Sequence, residues 1–162
     1  MSKRFKVALA IVFTVSAGYS LYKNSAHAGE IWGEYHVGSN HSDKYWYDDN
    51  GRRHEFNENN TGGGISYGIN DNVEVIGGFY RNSYDNTSVY AGADVHTGRR
   101  HGISVGVSAG KITGYEDTPT ATKFMVLPNV VIGNRRSVFR TKVSIMPIGK
   151  VKFISLTIGL AL

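Results

Sequence analysis

Beyond Glu30 the chain shows no helical period. Apolar residues instead recur at every second position, in eight separate segments, the mark of half-buried strands. In the first, Ile31, Gly33, Tyr35 and Val37 oppose Trp32, Glu34, His36 and Gly38. The second sets Ile65, Tyr67 and Ile69 against Gly64, Ser66 and Gly68, and the third sets Val73, Val75 and Phe79 against Glu74, Gly78 and Tyr80. The fourth places Val89, Ala91, Ala93 and Val95 opposite Ser88, Tyr90, Gly92, Asp94 and His96. Ile103, Val105 and Val107 alternate with Ser104, Gly106 and Ser108 in the fifth. The sixth, about Lys123 to Ile132, is nearly all apolar and holds Pro128. The seventh opposes Phe139, Thr141, Val143 and Ile145 to Arg140, Lys142 and Ser144. The last opposes Ile154, Leu156, Ile158, Leu160 and Leu162 to Phe153, Ser155, Thr157, Gly159 and Ala161.

One face of these segments is apolar and the other is small, polar or charged. A soluble β-sandwich points the apolar face inward. A membrane barrel points it outward to lipid and keeps polar groups inside. Connection lengths favour the barrel. Asn70-Asp71-Asn72, Thr97 to Arg100 and Gly133 to Arg136 are tight turns, whereas Ser39 to Asn60 and Lys111 to Ala121 are long. Short turns on one rim and longer loops on the other are an outer-membrane trait. The polar face also argues against a sandwich, whose solvent side normally carries many long charges. Glycine and serine recur there instead, as suits a narrow lumen. The expectation is therefore all-β: an eight-stranded antiparallel transmembrane β-barrel over residues 29–162. Its first extracellular loop spans about residues 39–60. Closure follows from the need to satisfy every backbone group in lipid. The chain ends on an alternating strand, which predicts both barrel ends on the periplasmic rim.

The N-terminus changes the address. Lys3, Arg4 and Lys6 precede an apolar run from Val7 to Ala17, and Ala26-His27-Ala28 places small residues before Gly29. That is the architecture of a cleaved signal peptide, expected over residues 1–28. An uncleaved anchor is the competing reading, but the run falls short of the ~20 residues that span a bilayer. The charge balance also shifts once this segment is set apart. Four of the 18 Lys and Arg residues lie in it with no acid, leaving 14 against 13 acids. A nucleic-acid binder carries its excess charge in the folded domain, so that class is excluded. The chain has no cysteine, which excludes disulfides and thiol chemistry.

The stretch Phe56-Asn57-Glu58-Asn59-Asn60-Thr61-Gly62-Gly63-Gly64-Ile65 is followed by Gly78-Phe79-Tyr80-Arg81-Asn82-Ser83-Tyr84 and then Tyr90-Ala91-Gly92. Leu127-Pro128 and Met146-Pro147-Ile148-Gly149 follow later. Over roughly residues 54 to 150 this pattern resembles the outer-membrane lipid A palmitoyltransferase family (PagP-like barrels). The resemblance implies transfer of an acyl chain from a phospholipid to lipid A, without a cofactor. It also implies a serine, here Ser83, and a strand-1 histidine, His41 or His36. The family's aspartate before the serine is Asn82 here, a departure that removes a charged helper. Asp94 falls where the family has a glycine in its pocket floor, and the family's amphipathic N-terminal helix has no counterpart.

The residues support a similar reading on physical grounds. Strands 1 and 3 rise in parallel with one strand between them, so their backbones lie about 10 Å apart. Ser83 and His41 then reach similar heights, while His36 points inward lower down. A serine needs a neighbouring base to attack an ester, and histidine is the commonest. Ser83 and Asn82 also suit a plain turn before Tyr84-Asp85-Asn86-Thr87. Glu34, Glu74 and Asp94 read as inward, with Arg140 and Lys142 opposite. Buried charges must pair, so a polar network is expected, a filling more natural to a non-catalytic barrel than to an acyl pocket.

Two functions therefore stand. One is a lipid A-type acyltransferase using Ser83, His41 or His36, and Asn82. The other is a non-catalytic surface barrel acting through its loops in adhesion, envelope remodelling or phage exclusion. In either case the expected partners are lipopolysaccharide and phospholipid, and the barrel is expected to be monomeric in the outer membrane of a Gram-negative bacterium. His41, His54 and His101 lack metal spacing, and no metal or cofactor is expected. Asn59-Asn60-Thr61 and Asn86-Thr87-Ser88 match a glycosylation sequon that bacterial export makes incidental. The Tyr45-Trp46-Tyr47-Asp48-Asp49 loop with Arg52 and Arg53 is the most distinctive, and its aromatics suit the lipid interface.

Overall fold

Each of the eight alternating segments forms a strand. The structure is a computed structural model that describes residues 29–70, 72–97, 102–118, 121–133, 137–146 and 153–162. The expected signal peptide lies outside the described residues, as do His101, Asp71 and parts of the tight turns and of the Met146–Gly149 loop.

The barrel strands are β1 (Ile31–His41), β4 (Gly62–Gly68), β5 (Val73–Arg81), β6 (Thr87–His96), β7 (Ile103–Ile112), β8 (Phe124–Ile132), β9 (Phe139–Met146) and β10 (Phe153–Ala161). They close in the order β1-β10-β9-β8-β7-β6-β5-β4, each antiparallel to its neighbours, and β4 returns to β1. Closure leaves no barrel edge unpaired, the condition for strands in lipid. Large apolar side chains stand exposed on every one of the eight, among them Tyr35, Ile65, Phe79, Val89, Val105, Val126, Ile145 and Leu160. The buried face carries Glu34, Ser66, Glu74, Asp94, Ser104, Ser108, Arg140 and Lys142. Apolar outside and polar inside is the transmembrane arrangement.

Two local features depart from the sequence expectation. β8 alternates after all. Met125, Asn129 and Val131 are buried while Phe124 and Val126 are exposed. Leu156, expected on the outer apolar face, is buried against Val37, Val143 and Ile158.

The long first connection is organised too. β1 runs on to His41, and β2 (Tyr45–Tyr47) pairs with β3 (Arg53–Glu55) as a separate hairpin. The glycine run of β4 has a steric reason. Gly64 pairs with Gly78 of β5, and an added Cβ at either would lie 2.5 and 2.7 Å from the Tyr90 hydroxyl. The missing side chains leave the lumen to Tyr90.

The interior divides into two levels. The outer level is an apolar cluster of Ile76, Tyr84, Tyr90, Ile112, Tyr115 and Met125, with Trp46, Phe56, Tyr80 and Leu127 packed on it. Below it lie the charged residues.

Candidate functional site

β1 carries a bulge. His36 pairs with Thr157 and Gly38 with Leu156, so Val37 is the extra residue. An added residue reverses the facing of everything after it. Trp32, Glu34 and His36 face the lumen before the bulge, and Ser39 and His41 are buried after it. Simple parity puts His41 on the lipid side, and the bulge turns it inward.

Inside, His41 Nε2 and Ser83 Oγ are 2.7 Å apart, and both residues are buried. The imidazole is held by stacking on Phe56, with ring centroids 4.7 Å apart and planes 9° from parallel. Serine and base at hydrogen-bond distance, with the base oriented by a third group, is the geometry of an activated nucleophile.

The Phe56–Thr61 segment assembles this pair. Asn57 N donates to the Ser83 carbonyl at 2.8 Å, and Ser39 N donates to the Glu58 carbonyl at 3.0 Å. The Glu58 carboxylate accepts from the backbone N–H of His41 at 3.3 Å and from Asn40 Nδ2 at 3.1 Å. Asn60 accepts from the Ser39 hydroxyl and donates to the Arg81 carbonyl at 2.8 Å. One segment thus ties the outer ends of β1 and β5 together. An added Cβ at Gly38 would meet the Glu58 carbonyl oxygen at 2.7 Å, so glycine is what admits the segment so close. These residues carried the sequence resemblance, but their supporting role becomes visible only with the contacts.

His36 is not brought to Ser83. Its Nε2 meets the Tyr90 hydroxyl at 2.9 Å and its Nδ1 meets Thr157 Oγ1 at 3.1 Å. It forms a floor below the dyad. Asn82 is fully buried, and its amide is committed to the β5–β6 and β7–β8 loops. Oδ1 accepts from Tyr84 N and Asn86 N, and Nδ2 donates to Ser88 Oγ and the Gly114 carbonyl. Those four bonds use both of its hydrogens and both lone-pair directions. It therefore has nothing left with which to polarise Ser83, and it acts as a loop fastener.

Between dyad and floor lies a cavity of ≈ 70 Å³. Ser83, Ser39, Asn60 and Tyr115 line it near the dyad, and His36, Tyr90 and Lys142 line it lower down. Burial pushes the Tyr115 phenol well above its usual range, so it stays neutral, 3.1 Å from the Tyr80 hydroxyl.

Below the floor the five expected charges meet. Arg140 donates to both Glu74 oxygens at 2.8 Å, to Glu34 at 2.6 Å and to the Ser66 hydroxyl. Lys142 Nζ lies 2.9 Å from Asp94 and 3.4 Å from Glu34. The Arg140 guanidinium also covers the Trp32 ring at 4.5 Å. The pairing expected between the acids and Arg140 and Lys142 is present in full.

No protein-family model and no curated protein sequence matches this chain. Its architecture recurs among solved structures. A barrel from the de novo design of transmembrane β-barrels aligns with a TM-score of 0.57 at 14% identity, covering 84% of this chain and 98% of that one. The fold is a transmembrane β-barrel. The N-terminal β-barrel domain of Pseudomonas aeruginosa OprF aligns with a TM-score of 0.46 at 16% identity, covering 85% and 100%. The Yersinia pestis outer membrane protein Ail aligns with a TM-score of 0.42 at 15% identity, covering 83% and 99%. At these identities the likeness concerns backbone architecture alone.

Two further clusters complete the barrel. Glu74, Asp94 and His96 each turn one potential metal-ligand atom within 4.8 Å of the others. Glu74 and Asp94 already balance Arg140 and Lys142, which weakens the cluster as a cation site. Outside, the hairpin is a small folded unit. Trp46 stacks on His54 and packs edgewise on Tyr84, and Arg53 covers the Tyr45 ring. Backbone N–H groups of Arg52 and Asn50, with His54, hold the Asp48 carboxyl below its usual range.

Proposed function

We infer that this chain is an outer-membrane enzyme that attacks acyl esters of envelope lipids. Ser83 is the nucleophile and His41 its general base. The observation that carries this reading is the 2.7 Å contact between His41 Nε2 and Ser83 Oγ, buried above a cavity. A neutral imidazole there takes the serine proton as the oxygen attacks the ester carbonyl. The family resemblance, whose serine falls on Ser83 and whose histidine falls on His41 or His36, points to lipid A and phospholipid as the esters. The signal-like N-terminus and the lipid-facing band support residence in the outer membrane of a Gram-negative bacterium. Acyl transfer of this kind needs no cofactor.

Two measurements test the reading. A fluorophosphonate should label wild-type protein but not Ser83→Ala. Mass spectrometry of lipid A should show altered acylation in cells making the wild type and none with Ser83→Ala. Unlabelled, abundant, folded protein together with unchanged lipid A rejects it.

A second reading is favoured by the ion network of Glu34, Glu74, Asp94, Arg140 and Lys142, which fills the lower lumen. It is a non-catalytic surface barrel acting through its loops in adhesion, envelope remodelling or phage exclusion. On that reading Ser83→Ala is silent, and changes to the Tyr45–Arg53 loop alter the phenotype.

A further inference from the structure

The reading of Ser83 and His41 as an acyl-ester centre leaves open what receives the acyl group. A transferase that stores a long alkyl chain in its lumen needs a deep, apolar and empty interior. This lumen is not empty. The space beneath Ser83 is ≈ 70 Å³. A cavity that admits even a benzene ring is on the order of 150 Å³. Below the space, the Tyr90–His36–Thr157 bonds and Lys142 close it, and the other four charges of the network lie beneath them. Driving an alkyl chain further would break buried ion pairs, at several kcal/mol for each charge left alone.

The same space suits water. One water needs about 10–15 Å³ by this measure and two to four polar partners. Ser39, Asn60 and Tyr115 are among the lining residues and can supply them, next to the apolar side chains of Ile76, Met125 and Leu127. The dyad also carries an aromatic cover. Phe56 lies on His41, Tyr84 packs on Phe56, and Trp46 packs on Tyr84.

We propose that water is the acyl acceptor, so that the barrel is a lipid esterase whose substrate keeps its acyl chain outside the lumen. Ser83 Oγ attacks the ester carbonyl and gives its proton to His41 Nε2. The C–O bond to the lipid alcohol breaks, and that alcohol leaves with the proton. A water from the cavity then attacks the acyl-serine carbonyl. His41 takes one water proton and returns it to Ser83 Oγ, releasing a free carboxylic acid.

The test uses purified mature barrel in vesicles of phospholipid and lipid A, in water enriched in oxygen-18. The expected products are a free fatty acid carrying one heavy oxygen and a lipid short of one acyl chain. Fluorophosphonate labelling of Ser83, run in parallel, reports the dyad itself. Label present with the acyl chain found on a second lipid overturns the proposal and keeps the ester-attacking centre. Label present with no product from these lipids also overturns it. No label and no product rejects the centre and the proposal together. Leu127→Phe, which fills the cavity wall away from the dyad, adds a second readout. With folding verified by heat-modifiable gel mobility, it should retain labelling, accumulate acyl-enzyme by mass and lose roughly 10²-fold in turnover, as misplaced reactants do. Unchanged turnover in Leu127→Phe overturns the proposal.

Discussion

His41 Nε2 and Ser83 Oγ stand 2.7 Å apart across 42 residues of sequence. Their meeting depends on a bulge at Val37 on one side and on the Asn57–Ser83 backbone bond on the other. If the pair works as a unit, the two side chains should fail together. His41→Ala should cut fluorophosphonate labelling of Ser83 by about 10²-fold or more, the usual size of a general-base contribution. His36→Ala, which removes floor contacts to Tyr90, Thr157 and Tyr80, should retain labelling within about tenfold. Equal losses in both variants would contradict the assignment of the base.

The support residues make a separate prediction. Glu58→Gln keeps an oxygen for the His41 N–H and Asn40, so labelling should persist. Gly38→Val collides with the Glu58 carbonyl, where a Cβ would stand 2.7 Å away. That variant should fold as a barrel by heat-modifiable mobility yet lose labelling. Retained labelling would show that the segment is not needed at that distance.

Arg140 holds two carboxylates in the lower lumen. Arg140→Ala leaves Glu34 and Glu74 without that partner, and breaking a buried ion pair from one side costs about 3–5 kcal/mol. Denaturant unfolding in lipid vesicles should show a midpoint shift of that order. The double change Arg140→Met with Glu74→Leu should recover much of the loss, because removing one acid with one base returns the network to its original net charge. No difference between single and double variants would refute an energetic role for the pair.

Neighbouring glycines of β5 should behave oppositely. A Cβ at Gly78 would lie 2.5 Å from the Gly63 carbonyl oxygen, whereas one at Gly77 meets nothing nearer than 3.6 Å. Gly78→Ala should destabilise the barrel by about 1–3 kcal/mol through overpacking. Gly77→Ala should be neutral or slightly stabilising, since glycine weakens strand interiors. Vesicle unfolding curves of the two variants decide the matter.

Val105 is exposed on the lipid side, and Ser104 is buried on the lumen side. Val105→Arg should cost about 2–4 kcal/mol if it lies near the bilayer midplane. Normal assembly of Val105→Arg, joined by tolerance of charge at Val107 and Val126, would overturn the lipid-facing assignment. The matching test of export is N-terminal sequencing of membrane-extracted protein, which should begin at Gly29. A Met1 start would reject cleavage.

Period-two alternation was enough to determine eight strands and the two faces of each, because burial in a sheet repeats every second residue, and the alternating short and long connections then chose the closed barrel with its apolar face to lipid. It was enough, too, to name the members of the ion network, though not which acid meets which base. Three inward acids and two inward bases in one narrow lumen have few ways to pair. Alternation could not determine what happens after Val37. A bulge is a property of two paired strands, so the inward turn of His41 appears only when β10 is in register with β1. Nor could it separate His36 from His41, since both read as candidates by height or by parity. The choice was made by Tyr90 and Thr157, which claim His36 from distant strands. Asn82 followed the same logic. Its four bonds go to Tyr84, Asn86, Ser88 and Gly114, and the last of these lies on a different loop. Local pattern fixes which way a side chain faces within its own strand. Which partner it finds there depends on registers and loop contacts that only the closed barrel creates.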